Sequence, residues 1–464
     1  MKKFASVLLI SLLISFPVFA IANVNPDFWA YDALKFASEN GIMDFENGFT
    51  ENTAAVKSDV IKAAAIIHAK ANGAAIENGG YADYALAANI ISDGSLFNSD
   101  PASREFTAII FNAVVPSERK INDIQYIPDV SVFSDSAKAV FNLYNAGIFT
   151  GIDENGYFDG ERAITLEELC AVSRRASDAA CSVKFTGIDT VSIENAVIPD
   201  FELEESDKNV VIKTDNGFDA SESLRSFIDT SLGGNSADES IEDSVKTFAG
   251  IKSIADEYNF VLPADAHLIL KEAIESNWEQ VKQTIDKLGY DITEYAYFVN
   301  YWYSMYYQQM YYDYSYAKFP SGSELFNRYK DEFALIKYIF IPYDFDEEDY
   351  DASALLKAKE VLQKIADGED FDALSAEYGE NPDELFTYNQ VAPQFETAAF
   401  ALSENEISDV VDSAYGYYVL KRIPLTEERF LSDSKQITEL VSKYVSEKFV
   451  NLLEEHIEKI NIVK

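Results

Sequence analysis

Histidine and cysteine, the imidazole bases and soft metal ligands, are few in this 464-residue chain. Its three histidines, His68, His267 and His456, are widely separated, and Cys170 and Cys181 are the only cysteines. That set supplies no zinc-ligand pattern. The sequence holds no HExxH, no GxSxG and no glycine-rich phosphate loop after a strand. Acids are abundant, 79 Asp and Glu against 37 Lys and Arg, so paired carboxylates carry almost no information about glycosidase chemistry. Asp153-Glu154-Asn155-Gly156 opens like a calcium loop but lacks the regular oxygen spacing and the closing bidentate glutamate. No cofactor and no metal are expected. What remains is hydroxyl and apolar chemistry, concentrated in 28 tyrosines and 32 phenylalanines. The stretch VDSAYGYYVLK at 411–421 is either an edge where tyrosine hydroxyls act or a packed strand.

The elements around it read clearly. LIKYIFIP at 335–342 is a buried-type strand, and SALLKAKEVLQKIA at 353–366 is an amphipathic helix stopping at Asp367-Gly368, a good C-cap. FDALSAEYG at 371–379 predicts a second helix and PQFETAAFAL at 393–402 a third. Two strands close the region, one led by Ile407 to Val411 and one by Tyr417 to Ile423. This is an α+β unit around a small sheet, spanning 331–425.

Ala366-Asp367-Gly368-Glu369-Asp370-Phe371, Phe395-Glu396-Thr397-Ala398-Ala399-Phe400, Ile407-Ser408-Asp409-Val410-Val411 and Tyr415-Gly416-Tyr417, in that order, resemble the parvulin-type (PpiC-like) peptidyl-prolyl isomerases. They are most similar to the extracytoplasmic folding factors of that group. The resemblance implies a proline-ring cup at Val391, Phe395 and Phe400. It implies polar groups near the rotating bond at Tyr338, Tyr418 and Glu380. The family usually carries histidines at the first two of these places, and its Gly-Gly-Asp-Leu-Gly turn is replaced here by Asn381-Pro382-Asp383-Glu384-Leu385-Phe386. Rotation about an X–Pro bond removes no proton and needs no nucleophile. It needs weakened amide resonance and a held twisted form against a barrier of about 20 kcal/mol, and tyrosine hydroxyls can hydrogen-bond there. The chain is expected either to be an isomerase with chaperone activity or to keep a non-catalytic parvulin fold in a chaperone or structural surface protein.

Helical periodicity at 245–330 and 426–464 predicts helices on both sides of this domain, and they resemble the chaperone body that such folding factors build from both chain ends. Within it, DITEYAYFVNYWYSMYYQQMYYDYSYAKF at 291–319 predicts a helix opened by Asp291 and Glu294. Tyr295, Phe298, Trp302, Met305 and Tyr306 share one face of it, while Tyr297, Tyr301 and Tyr312 lie elsewhere. Exposed aromatics with hydroxyls would suit unfolded, proline-containing exported polypeptides. Residues 183–244 read as an acidic linker with one possible β-hairpin, and SLGGNSADESIEDS at 231–244 as its flexible part.

Three earlier segments share one grammar of helix, turn, loop and second helix: 23–72, a degenerate 73–118, and 119–182. Their turns fall at Asn40-Gly41, Asp93-Gly94 and Ala146-Gly147, and Thr165 with Glu168 forms a capping-box pair. The grammar is similar to S-layer homology repeats, α-helical modules that bind anionic wall polymers. It implies wall contacts from Lys57 and Arg104, with Leu166 at the corresponding place of the third copy.

A net charge of −42 makes nucleic acid an unfavourable partner. MKKFASVLLISLLISFPVFAIA reads as a signal peptide over 1–22, with no membrane span of roughly 20 apolar residues after it. The two cysteines are either a disulfide or two small packed thiols. The expected whole is a secreted, multidomain protein at the wall of a Gram-positive-type bacterium.

Overall fold

The computed structural model describes residues 24–45, 48–196, 202–290, 292–346, 348–378 and 383–463; the expected signal peptide lies outside them. The chain divides into two units, Met1–Lys318 with Val450–Lys464, and Phe319–Phe449.

The first unit begins with three helix pairs: α1 (Tyr31–Glu39) and α2 (Lys57–Ala71), α3 (Tyr81–Ala87) and α4 (Arg104–Asn112), α5 (Ala137–Asn145) and α6 (Leu166–Ser177). Gly41, Asn89 and Gly147 adopt left-handed backbone after the first helix of each pair, which ends it. The second break therefore falls at Asn89 and not at Asp93-Gly94, because an asparagine tolerates that conformation. At the start of α6, Thr165 Oγ1 accepts from Glu168 N while Glu168 Oε2 accepts from Thr165 N. The loops entering α2, α4 and α6 meet in a ring. Ala55 N donates to Ile164 O, Ile164 N to Ala102 O, and Ala102 N to Ala55 O, at 2.8 to 2.9 Å. The first helix of each pair leans on the second helix of the preceding one, cyclically: α3 on α2, α5 on α4, α1 on α6. One apolar core runs through all three pairs. The three pairs thus make one module around that shared core.

The body of the same unit follows: β1 (Thr190–Ser192), the single turn α7 (Glu205–Lys208), β2 (Val210–Thr214), β3 (Asp219–Ser221), α8 (Glu222–Ser231), α9 (Asp238–Tyr258), β4 (Val261–Pro263), α10 (Ala264–Leu288) and α11 (Glu294–Ala317). β1 pairs antiparallel with β4, and β2 with β3. Most of the stretch expected as a linker is folded. Ser221 Oγ caps α8 by accepting from Leu224 N, and Leu224 and Ile228 are buried. Only residues 232–237 separate α8 from α9. In α11 the cap is Thr293, whose Oγ1 accepts from Ala296 N; the expected Asp291 lies outside the described residues. Phe298, Trp302 and Tyr306 are buried on one face, joined by Tyr303 and Met310, while Tyr301, Tyr312 and Tyr316 are exposed. Trp302 Nε1 and the Tyr306 hydroxyl donate to the carbonyls of Ile193 and Val191.

The second unit contains α12 (Gly322–Tyr329), β5 (Phe333–Pro342), α13 (Tyr350–Ala366), α14 (Phe371–Glu377), β6 (Glu384–Thr387), α15 (Pro393–Ala401), β7 (Val411–Ser413), β8 (Gly416–Ile423) and α16 (Glu427–Phe430). Helix α17 (Ser434–Ile457) follows, and β9 (Ile462–Val463) then pairs with β2 in the first unit. The sheet of the second unit is antiparallel, in the order β6-β5-β8-β7. Alternation decides its faces. Ile339, Ile341, Tyr417 and Val419 pack with α13 and α14, while Ala334, Ile336, Tyr338, Tyr418 and Leu420 pack with α15. The strand expected from Ile407 forms only at Val411; Ile407 makes one isolated bridge to Lys421, and Ser408 Oγ takes the Leu420 N–H at 2.9 Å. The architecture is a largely helical body with an inserted α+β domain.

Candidate functional site

The α15 side of the sheet brings together residues distant in sequence. Tyr338 is opposite Leu420 in register and Tyr418 opposite Phe340, so the two tyrosines are diagonal neighbours on one face. Their rings meet edge-on with centroids 5.7 Å apart. Phe395, on α15, meets both edge-on, at 6.0 Å from Tyr338 and 5.2 Å from Tyr418. Pro393 starts that helix at a position where a missing N–H costs nothing. Phe395 is 5% exposed, while Val391 and Phe400 are half-buried at the margin of the same cluster. Phe400 stacks on Tyr388 with centroids 4.0 Å apart. Five of the six residues singled out for the bond and the cup therefore belong to one apolar patch. Glu380 lies outside the described residues.

A carboxylate that the family resemblance does not assign stands beside the patch. Glu384, on β6 opposite Ile336, accepts from the Tyr338 hydroxyl at 3.3 Å. Burial, and then the Glu384 charge, push the Tyr338 and Tyr418 phenols above their ordinary range, so both hydroxyls hold their protons near neutral pH. Phe386, from the same strand, packs on Phe395 with centroids 5.2 Å apart. Ser375 Oγ donates to Tyr338 O at 3.3 Å and fixes the middle of β5 to α14. The only sequence signal for β6 was Leu385-Phe386 after Pro382, too short to show a period.

The two cations expected at a wall surface differ in placement. Lys57 pairs with Asp100 at 3.1 Å, with its side chain 27% exposed. Arg104 is a correction to the expected surface role: it is 4% exposed. Its Nε donates to Phe158 O at 2.7 Å, and the guanidinium lies over the Phe149 and Phe158 rings beside Glu168. A planar cation stacked between rings is a core element here. Cys170 and Cys181 are free thiols, the first buried. Asp153 closes a local turn by accepting from Asn155 N and Tyr157 N. Among the described residues no helix is long and apolar enough to cross a membrane.

Residues 325–423 match the family description PPIC-type PPIASE domain. The inserted domain is of the PPIC, or parvulin, type. Foldase protein PrsA of Oceanobacillus iheyensis is 46% identical over 70 residues, which cover 13% of this chain and 23% of that protein. Foldase protein PrsA 2 of Listeria innocua is 35% identical over 118 residues, 23% of this chain and 40% of that protein. The chain thus spans less than half the length of these curated relatives. The crystal structure of PrsA from Bacillus subtilis aligns with 55% of this chain and 91% of its own, at 20% identity and a TM-score of 0.19.

Proposed function

We propose that this protein is an exported, wall-associated folding factor whose PPIC-type domain catalyses rotation about X–Pro bonds in partly unfolded chains. The observation carrying this reading is the convergence of Tyr338, Tyr418 and Phe395 on one sheet face. The proline ring enters against Phe395, Val391 and Phe400, displacing water from apolar surface. As the amide twists, the prolyl nitrogen regains its lone pair, and a phenol hydroxyl donating to it favours the twisted form over the planar one. No proton changes owner. Tyr338, Tyr418 and, by resemblance, Glu380 are the polar groups assigned to this step. The exposed Tyr301, Tyr312 and Tyr316 of α11 offer amphipathic area for client segments.

Wall attachment belongs to the three-pair module and rests on its resemblance to S-layer homology repeats. Lys57 is the cation assigned to an anionic polymer, because Arg104 is internal. A second reading, a parvulin fold that binds peptide without catalysis, draws on the rings already filling the cup around Phe395.

The deciding experiment is exchange NMR on an Ala-Pro peptide with the full chain and with Tyr338→Phe/Tyr418→Phe. Catalysed exchange that falls at least about tenfold in the double variant, about 1.4 kcal/mol, supports catalysis by the hydroxyls. Peptide shifts without catalysed exchange in the parent protein select the binding reading. Sedimentation of the protein with purified cell walls, weakened in Lys57→Ala, tests attachment.

A further inference from the structure

We propose that Glu384 makes the PPIC-type site selective for segments with a lysine or arginine beside the proline, and against segments with an acid there. The inference rests on the peptide site proposed above and names its substrate class.

Glu384 stands next to the cup, with Tyr338 donating to its Oε1 at 3.3 Å. Its charge acts on both tyrosines of the patch, since it contributes to the upward displacement of each phenol. The nearby cations have other partners: Arg429 donates from Nη2 to Asp383 O at 3.3 Å and from Nη1 to Ser432 Oγ at 2.9 Å. Arg422 projects from the same face of β8, but its Nη1 donates to Ala399 O at 3.2 Å and its Nη2 to Phe333 O at 3.1 Å. The guanidinium also lies over the Phe400 ring, 5.8 Å from its centroid. Lys337, one residue from Tyr338 in β5, points to the other face, where it pairs with Asp372 at 2.9 Å and approaches Asp383 at 3.9 Å. Lys421 also lies on that opposite face, over Phe371. Among the described residues Glu384 has the Tyr338 hydroxyl for a partner and no ion pair. A hydroxyl donor leaves the carboxylate its full negative charge, and a half-buried charge at a site edge is less screened than one in free water.

An extended peptide with its proline against Phe395 would carry the preceding side chain within the field of this carboxylate. A lysine or arginine there gains a charge partner, and a glutamate meets a like charge. The preference is electrostatic and so weakens with salt.

The test uses the full chain and a series of peptides Ala-Xaa-Pro-Phe with Xaa lysine, alanine or glutamate. Exchange enhancement and peptide shift changes are measured for the parent protein, Glu384→Gln and Glu384→Lys. The expected result is Lys over Ala over Glu. The extremes should differ by about fivefold or more at low salt, the spread collapsing in Glu384→Gln and reversing in Glu384→Lys. Glutamine retains an acceptor for the Tyr338 hydroxyl, and amide spectra report whether each variant is folded. Equal use of the three peptides, or a preference surviving in Glu384→Gln, overturns the inference while leaving the peptide site standing. Absence of both exchange and shifts for every peptide overturns the peptide site and the inference with it.

Discussion

Gly416 sits at the turn into β8 with φ of 148°, and a Cβ built there would lie 2.1 Å from Ile341 O. No side-chain movement relieves a clash with backbone. Gly416→Ala should therefore cost the second unit about 2 kcal/mol or more, read as a lower denaturant midpoint at unchanged slope. Asp313 is informative in a different way. Burial pushes its carboxyl up to about 6, while Ser131 Oγ and Val132 N donate to it and pull it part of the way back. In the unfolded chain an aspartate ionises near 3.9, about two units lower. A raised carboxylate means that ionisation is harder in the fold. Below about pH 4 the group is neutral in both states and costs nothing. As pH rises towards 6 the unfolded state is favoured increasingly, to a limit of about 3 kcal/mol. Asp313→Asn, which keeps an acceptor and removes the charge, should raise the thermal midpoint of the first unit at pH 8 and leave it nearly unchanged at pH 4. A lower midpoint at pH 8 would show that the two donors outweigh burial.

At the scale of elements, the sheet works by a period of two. β5 sends Tyr338 to the α15 side and Ile339 to the α13 side, so one slip of register would exchange site and core. Phe395 joins α15 to that sheet. Phe395→Ala should cost about 3–5 kcal/mol, seen in the unfolding of the second unit. Phe395→Leu, which leaves a smaller void, should cost less and is the safer probe of peptide binding. Strand β5 and helices α13 to α15 were legible because each carries a sustained apolar period or a cap. β6 was not: Glu384–Thr387 is too short to show alternation. Helix α8 was hidden by its surroundings, since Leu224 and Ile228 stand among small and acidic residues that read as linker. Arg104 was misjudged for a chemical reason. Its placement depends on Phe149 and Phe158, more than forty positions away, and local sequence does not report a distant aromatic partner. Tyr338 and Tyr418 stood out through family resemblance, and Glu384 emerged from strand pairing.

At the scale of the molecule, the chain leaves its first unit to build the second and then comes back. Gly250 shows what the return segment does. A Cβ there would stand 2.7 Å from Ile457 Cγ1 and 3.2 Å from Leu453 Cδ1, so α9 and the last turns of α17 touch almost backbone to side chain. His456, 2% exposed, meets Ser253 Oγ at 2.9 Å, and β9 completes the sheet with β2. Removing residues 450–464 should lower the melting temperature of the first unit by several degrees or more. The second unit, whose three clusters lie wholly within 319–449, should retain its own transition. Two separate calorimetric transitions, with only one displaced, would bear this out; a common shift of both would refute it. The ring formed by Ala55, Ala102 and Ile164 has a kinetic counterpart. Synthesis runs from the N-terminus, and the backbone partners of the loops entering α2 and α4 stay incomplete until Ile164 has been made. A growing chain stopped short of that residue has apolar helix faces and unpaired peptide groups with nothing to close on. The ring and the α1–α6 contact must therefore close late, and the module's vulnerability to proteases should fall once the third helix pair is released.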